Sequence, residues 1–371
     1  MSPRASFGCL LSLVLAASLS AQETIKVGEF ASLTGKQASF GQTNHRGVLT
    51  AVEELNAAGG VLGRKIELVT EDTRSLQGEA ATVVKKLISR DKVAAIIGET
   101  GSSAALEAAP LCQQAGVPMM SATATNARVT EAGDFIFRAC FIDPFQGTVL
   151  AKFAADTLKV RRVAVLVASG NAYSVGLVKY FRERFPGEIA AEQKYSEGDK
   201  DFRAQLTAVK AAEPDAIFAS GDYAESALIC KQARELGLTV PIFGGDTWDS
   251  PALTQIGGRA VEGTYFSAHF SPDSTDPLVK SFVQRFAARW QGTVPDTGTS
   301  LGYDAMMLLA DAMRRAGSTE GKKIRDALAA TKDFPGVTGR ITLDAQRNAA
   351  KSAVIFTVRD GQFRYVETVA P

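Results

Sequence analysis

One carboxylate, a group of hydroxyls and two aromatic rings carry the chemistry available to this sequence. Asp246 stands in Gly244-Gly245-Asp246-Thr247-Trp248, directly after the strand-like run Val240–Gly244, where its carboxylate can face an ammonium group. Ser102 and Ser103 follow the β-rich run Val93–Gly98 at a loop-to-helix junction. A helix N-terminus there offers unpaired N–H groups and the positive end of its dipole to an anion. Thr123 and Thr125 follow a second strand ending near Ala122 and add donors on the same face. Any one of these serines and threonines could be no more than a helix cap. Together they give donors for a carboxylate in one half of the chain and an acceptor for an amine in the other, which is a clamp for an α-amino acid. Tyr173 after Arg162–Ala168 and Tyr223 after Ala216–Ser220 are placed either to pack or to cover a ligand.

Active-site signatures of other kinds are missing. There is no G-x-x-x-x-G-K-S/T loop, no G-x-G-x-x-G after the first strand, no G-x-S-x-G elbow, and no H-E-x-x-H or C-x-x-C. The chain holds only two His and four Cys, so neither a metal centre nor a cofactor is expected. His45, in a helix-start context, and His269, near a strand end, read as surface or crossover residues. Cys112, Cys140 and Cys230 read as buried thiols, with a Cys112–Cys140 bridge left open. Lys+Arg is 41 against Asp+Glu 40, and the basic residues are scattered singly or in pairs, which excludes a nucleic-acid footprint.

These residues need strands and helices to position them. The 371 residues suggest two domains of roughly 150 residues or more. Residues 1–21 form an expected secretory signal peptide: Arg4, the apolar run Cys9–Ala17, and Ser18, Ser20 and Ala21 for cleavage. That run is too short for a bilayer of about 30 Å, so no membrane insertion is expected. Strand-like runs then alternate with helical patterns, as in Thr24–Phe30, His45–Ala58 and Lys65–Glu71. The alternation predicts βαβ units around mostly parallel sheets. It restarts at Arg162–Ala168, and Ile96…Pro118 in the first half corresponds to Ile217…Pro241 in the second. From about 270, helices at Pro277–Trp290, Leu301–Arg315 and Lys322–Ala330 follow, then a predicted hairpin of Gly339–Leu343 with Ala353–Val358, turning at Arg359-Asp360-Gly361 into Gln362–Thr368. This third segment is expected to cross back and complete both lobes.

In this order the residues resemble the periplasmic substrate-binding proteins of branched-chain amino acid ABC transporters, the leucine/isoleucine/valine-binding family. The resemblance rests on Val27-Gly28, Leu33-Thr34-Gly35, Phe40-Gly41, the turn Ala57-Ala58-Gly59-Gly60-Val61-Leu62-Gly63-Arg64, Asp72, Ile97-Gly98, Phe137-Arg138 and Asp143 with Gln146-Gly147. It implies an α/β type I periplasmic-binding fold, two Rossmann-like lobes with parallel sheets joined by three crossover segments. The implied lobes are 22–143 plus 270–350 and 144–269 plus 351–371. By position, Ser102 matches a serine that holds the α-carboxylate, and Thr125 a threonine that contacts carboxylate and ammonium. Thr123 matches a residue offering its carbonyl to the ammonium, Asp246 an acidic ammonium partner, and Tyr173 and Tyr223 aromatic covers.

Ser103 joins this set from the helix start, and Phe40, Thr100, Gly101 and Trp248 are candidates for the side-chain pocket. The family's disulfide is absent, because Arg74 and Gly101 stand at its two ends. A pocket aromatic falls near Gly298, where glycine would leave more room. The implied function is capture of an amino acid, apolar and branched-chain-like or larger, and delivery to an inner-membrane ABC permease. The implied protein is monomeric and periplasmic, and makes or breaks no bond. An amide, urea or aromatic acid ligand and a chemosensory role are the alternatives, with an exported α/β enzyme more distant.

Overall fold

Alternation along short apolar strands sets the architecture. The structure, a computed structural model, describes residues 24–98 and 101–370. The expected leader and Thr100 lie outside the described residues. The first part runs β1 (Ile25–Ala31), α1 (Ala38–Ala57), β2 (Ile66–Asp72), α2 (Glu79–Lys86), β3 (Ala95–Gly98), α3 (Ser102–Ala115), β4 (Met119–Ser121), α4 (Arg128–Glu131) and β5 (Ile136–Arg138). These strands form a sheet of order β2-β1-β3-β4-β5, parallel throughout.

The chain then runs α5 (Asp143–Lys152), β6 (Arg162–Ala168), α6 (Ala172–Arg184), β7 (Glu188–Tyr195), α7 (Arg203–Ala211), β8 (Ala216–Ala219), α8 (Tyr223–Glu235), β9 (Ile242–Gly244), α9 (Pro251–Gly257) and β10 (Tyr265–Ala268). Three helices follow, α10 (Pro277–Arg289), α11 (Thr297–Ala316) and α12 (Gly321–Ala329). The last strands are β11 (Phe334–Gly336), β12 (Gly339–Leu343), β13 (Ala349–Ala350), β14 (Ala353–Arg359) and β15 (Gln362–Val369).

The second sheet has the order β15-β14-β10-β9-β8-β6-β7. Its strands from β7 to β10 are parallel, but β14 runs antiparallel to β10, and β15 antiparallel to β14. The second lobe is therefore mixed rather than parallel. The expected hairpin of 339–343 with 353–358 does not form: β12 pairs with β11 and β13, in a small sheet of its own. Burial explains the choice. Six consecutive residues of β14 are buried, which requires cover on both faces, while β12 shows only Ile341 and Leu343 buried.

Successive residues face opposite layers. In the first sheet, Ala95, Ile97, Met120 and Phe137 pack with α1, α10, α11 and α12, and Ile96, Met119 and Ile136 pack with α2 and α3. In the second, Leu166, Ile217, Ile242, Phe266 and Phe356 share a core with α7, α8 and α9, and Val165, Phe218, Phe243 and Ile355 with α5 and α6. Burying each large apolar side chain contributes about 2 kcal/mol, so all four layers matter. The sheets exchange chain three times: after β5, after β10, and before β14.

One helix pair fixes the top of the first lobe. A Cβ added at Gly47 would lie 1.9 Å from Thr299 O, and one at Gly302 2.3 Å from Asn44 O, so glycines on both helices let α1 and α11 touch backbone to backbone. Asn44 Nδ2 donates to Gly298 O at 3.0 Å across the same contact. This docking aims the start of α1 at the second lobe. Gly298 lies in the crossing, against Thr43, and opens no room for a ligand.

Candidate functional site

The two sheets present the C-terminal ends of their strands to a shared cleft of about 320 Å³. Its first-lobe wall comes from the residues after successive strands: Ser32 after β1, Thr73 after β2, Gly101–Ser103 after β3 and Thr123 after β4. The second-lobe wall repeats the pattern, with Tyr173 after β6, Glu197 after β7, Asp222 after β8 and Asp246 after β9. Ligands of open α/β sheets bind at this end of the strands.

The first wall suits an anion. Helix α3 has Gly101 as its N-cap, in extended conformation and with no side-chain cap. Its first intrahelical bond is Ala105 N–H to Gly101 O, so the N–H groups of Ser102, Ser103 and Ala104 find no acceptor within the helix. All three residues line the cleft. The serines are therefore the first two helical residues and not the cap. Ser102 Oγ accepts from Asn126 N–H at 3.3 Å, and Ser103 Oγ from Ala172 N–H at 3.2 Å. Each hydroxyl keeps a proton to donate. Buried Arg138 holds the adjacent loop by donating to Ala124 O at 2.8 Å and Asn126 O at 2.9 Å, which sets Thr123 in the wall.

The second wall suits a cation. Asp246 is buried and opens a short turn, Asp246–Trp248. Its Oδ1 accepts from Gln146 Nε2 at 2.7 Å and its Oδ2 from His269 Nε2 at 3.0 Å. Gln146 Nε2 also reaches Ser267 Oγ at 2.9 Å and Tyr173 Oη at 3.4 Å. Burial pushes the His269 ring down to about 4, although Asp246 pulls it the other way. At neutral pH both partners are thus uncharged donors. They fix the direction of the Asp246 carboxyl group and bring no opposing charge of their own. Burial raises the Tyr173 hydroxyl, helped by the charges of Asp246 and Asp143, so it stays a neutral phenol.

Bonds also cross between the walls. Lys36 pairs with Glu197 at 2.6 Å, Gln37 Nε2 donates to Asp222 at 2.8 Å, and Ser39 Oγ meets Ser250 Oγ at 2.9 Å. Tyr223 Oη donates to Lys36 O at 3.0 Å. The segment that starts α1 thus bridges the two walls.

A family model described as periplasmic binding protein matches residues 24–362. The chain belongs to the periplasmic binding protein family. It is 39% identical to a leucine-binding protein from Thermotoga maritima, with a TM-score of 0.90 over 94% of this chain and 99% of that one. It is 35% identical to a branched-chain amino acid transporter substrate-binding protein from Streptococcus pneumoniae, solved with isoleucine, again with a TM-score of 0.90, over 94% of this chain and 100% of that one. A Leu/Ile/Val-binding protein homolog from Brucella abortus is 32% identical over 97% of each chain. The fold of this periplasmic binding protein is the type I fold of those structures.

Of the residues singled out in the sequence, the cleft gathers Ser102, Ser103, Thr123, Tyr173, Asp246, Phe40 and Gly101. Others lie elsewhere. Trp248 is fully buried in the second-lobe core, its ring against Gly244 and its Nε1 donating to Gly221 O at 3.2 Å. Its bulk fills the space a glycine leaves, so it supports the turn instead of lining the pocket. Tyr223 borders only a small side cavity, shared with Gln37, Phe40, Asp222 and Thr247. Thr125 sits behind the wall, buried, with its carbonyl accepting from Asp143 N–H at 2.9 Å.

His269 follows β10 at a crossover but is no surface residue: its ring is buried and stacked on Phe141 at 3.5 Å. His45 lies inside α1, beside Glu29 at 2.6 Å. Gln37, Asp222, Lys36 and Glu197 line the cleft, and Gln146 stands behind it, without an expected role from the sequence. Gln146 carries a signal, since Asp143 with Gln146-Gly147 is one of the family-like motifs; the others carry none that is local. Among the described residues no group of His, Cys, Asp and Glu could hold a metal ion, and no helix is long and apolar enough to cross a membrane.

Proposed function

We propose that this protein captures a free α-amino acid between its two lobes and presents it to an ABC transporter permease. The arrangement of the two walls supports the reading most strongly. An uncapped helix N-terminus at Ser102–Ala104 faces the same cleft as Asp246, whose bonded partners are neutral. The ligand's carboxylate would take the N–H groups of α3 and the Ser102 hydroxyl, and its ammonium would take Asp246 and the Thr123 carbonyl. Tyr173 covers the backbone of the ligand, and Phe40 and Gly101 border its side chain. Pairing both charges at once makes closure favourable, because a buried unpaired charge is strongly penalised. Relatives named for leucine, isoleucine and valine support a branched-chain or larger side chain. Asp246 disfavours aromatic acids, which bring an anion and no amine.

In this reading 22–143 plus 270–350 form one lobe, and 144–269 plus 351–371 the other. Residues 1–21 direct export to the periplasm, and the exported chain works as a monomer. A thermal-shift screen against the amino acids tests the function. Ligand at 100 times its Kd adds about 2.7 kcal/mol to stability. Leucine should stabilise the protein, while N-acetyl-leucine and leucinamide, each lacking one charge, should not. No shift with any free amino acid would overturn the reading.

A further inference from the structure

Beyond the amino-acid clamp the cleft ends in a wall whose charges do not balance. Asp222 is the N-cap residue of α8, yet its side chain does not cap that helix. It turns instead into the cleft, where Oδ2 accepts from Gln37 Nε2 at 2.8 Å. An Asp at this position ordinarily bonds the N–H groups of its own first turn. Asp222 gives up that role and remains 9% exposed, with the cleft in front of it.

Its surroundings are acidic. Glu225 lies one position into the helix from Ala224 and accepts from Gly198 N–H at 2.9 Å. Glu197 is matched by Lys36, the only basic residue bordering the cleft among those described. Burial pushes the Asp222 carboxyl up to about 7, with Glu225 adding and Gln37 opposing. Behind it the buried Tyr195 hydroxyl has no hydrogen-bond partner among the described residues, and a Cβ on Gly221 would lie 1.8 Å from it. The carboxyl groups of Asp222, Glu225 and Glu197 thus stand against the single ammonium group of Lys36 at this end of the cleft.

We infer that Asp222 and Gln37 form a side-chain subsite for amino acids that end in nitrogen donors, in addition to the branched-chain class. The inference rests on the amino-acid reading above. With the ligand's α-carboxylate on α3 and its ammonium on Asp246, a longer side chain reaches Asp222. An amine or guanidinium supplies the missing cation, and a carboxamide supplies N–H donors to the same oxygen while accepting from Gln37 after that side chain rotates. Leucine fills the nearer space beside Phe40 and leaves the Gln37–Asp222 bond as it stands.

Calorimetric titration of the wild type, Asp222→Leu and Asp222→Asn with leucine, glutamine, lysine and arginine tests this. At least one nitrogen-ended amino acid should bind the wild type. Asp222→Leu should lower its affinity relative to that of leucine by on the order of tenfold or more. If Asp222→Leu no longer binds leucine, Asp222→Asn carries the test. It should lower the affinity for lysine and arginine relative to leucine by the same factor. A preference for glutamine over the cationic pair assigns the subsite to carboxamides, and the reverse assigns it to cations; either supports it. The inference is overturned if leucine binds the wild type and no nitrogen-ended amino acid does, or if neither variant changes the ratio. Failure of every amino acid, leucine included, instead removes the amino-acid reading itself.

Discussion

Gln146 Nε2 lies 2.7 Å from Asp246 Oδ1, joining the first helix after the sheet crossing to a turn one hundred residues further along the chain. The contact sets the direction of the acid that the ligand's amine would meet. Gln146 is a positioning residue in this sense, since it borders Asp246 and Tyr173 and does not itself line the cleft.

Replacing Gln146 with Leu should therefore weaken amino acid binding without unfolding the protein. The expected loss is on the order of tenfold, the usual effect of removing one bond to a charged group. Calorimetry for affinity, beside a circular dichroism melt for the fold, separates the two effects. Unchanged affinity would show that His269 alone orients the carboxylate.

Asp246→Asn keeps the shape of the turn and removes its charge. Affinity for a free amino acid should fall about 100-fold, corresponding to the loss of one buried charge pair. A ligand without an amine should be affected far less. Equal losses for both would mean that Asp246 acts on the fold of the cleft and not on the amine.

The His269 ring is held neutral in the folded protein, down to about 4, against 6.5 for an ordinary histidine. Below pH 6.5 the unfolded chain takes up a proton that the folded chain refuses. The ring's contribution to stability is therefore complete above that value and is lost as pH falls from about 6.5 to about 4. The full effect is on the order of 3 kcal/mol. Urea unfolding of wild type and His269→Gln at pH 4.5 and 7.5 should show the wild type losing more of its stability at the lower pH.

Asp143 should behave in the opposite way. Burial pushes its carboxyl up to about 7, with Thr125 opposing and Asp246 adding. Between pH 3.8 and 7 the folded chain holds a proton that the unfolded chain gives up, so this group lowers stability as pH rises through that window. Asp143→Asn removes the dependence. Relative to wild type, the variant should be more stable at pH 8 than at pH 5 in the same unfolding measurement.

Cys112, Cys140 and Cys230 are all free and buried, so the bridge left open by the sequence is not made. Burial pushes each thiol up to about 12. A folded chain of residues 22–371 should react negligibly with a thiol reagent at pH 8, and with three equivalents after denaturation in guanidinium. Rapid labelling of the folded protein would place a cysteine at the surface.

Cleft-lining positions are legible in the sequence where strands end in short polar loops, because there the backbone direction itself aims the residues. Ser102, Thr123 and Asp246 were legible for that reason. Gln37 and Asp222 were not: they lie 185 positions apart and meet only once the two lobes face each other. The start of α1 was placed late, at 45 and not 38, because Ala38–Asn44 has no apolar period and gains its helical cover from α11. The pairing of β14 failed for another reason. Adjacent strands in sequence suggest a hairpin, and only burial on both faces of Ala353–Val358 moves that strand into the middle of the second sheet. Trp248 shows a related ambiguity, since an aromatic beside the acid can line a pocket or pack, and only its full burial in the second-lobe core favours packing.

The segment Lys36–Ser39 reaches across to Glu197, Asp222 and Ser250, and these bonds tie the first lobe to the second beside the cleft. Two of its residues, Lys36 and Gln37, also border the space that a ligand's side chain would occupy. Selectivity and residence time are thereby tied to the same few atoms. A substitution that lets the cleft accept a new amino acid will also change how long the lobes hold it, and so how often a captured molecule survives the journey to the permease.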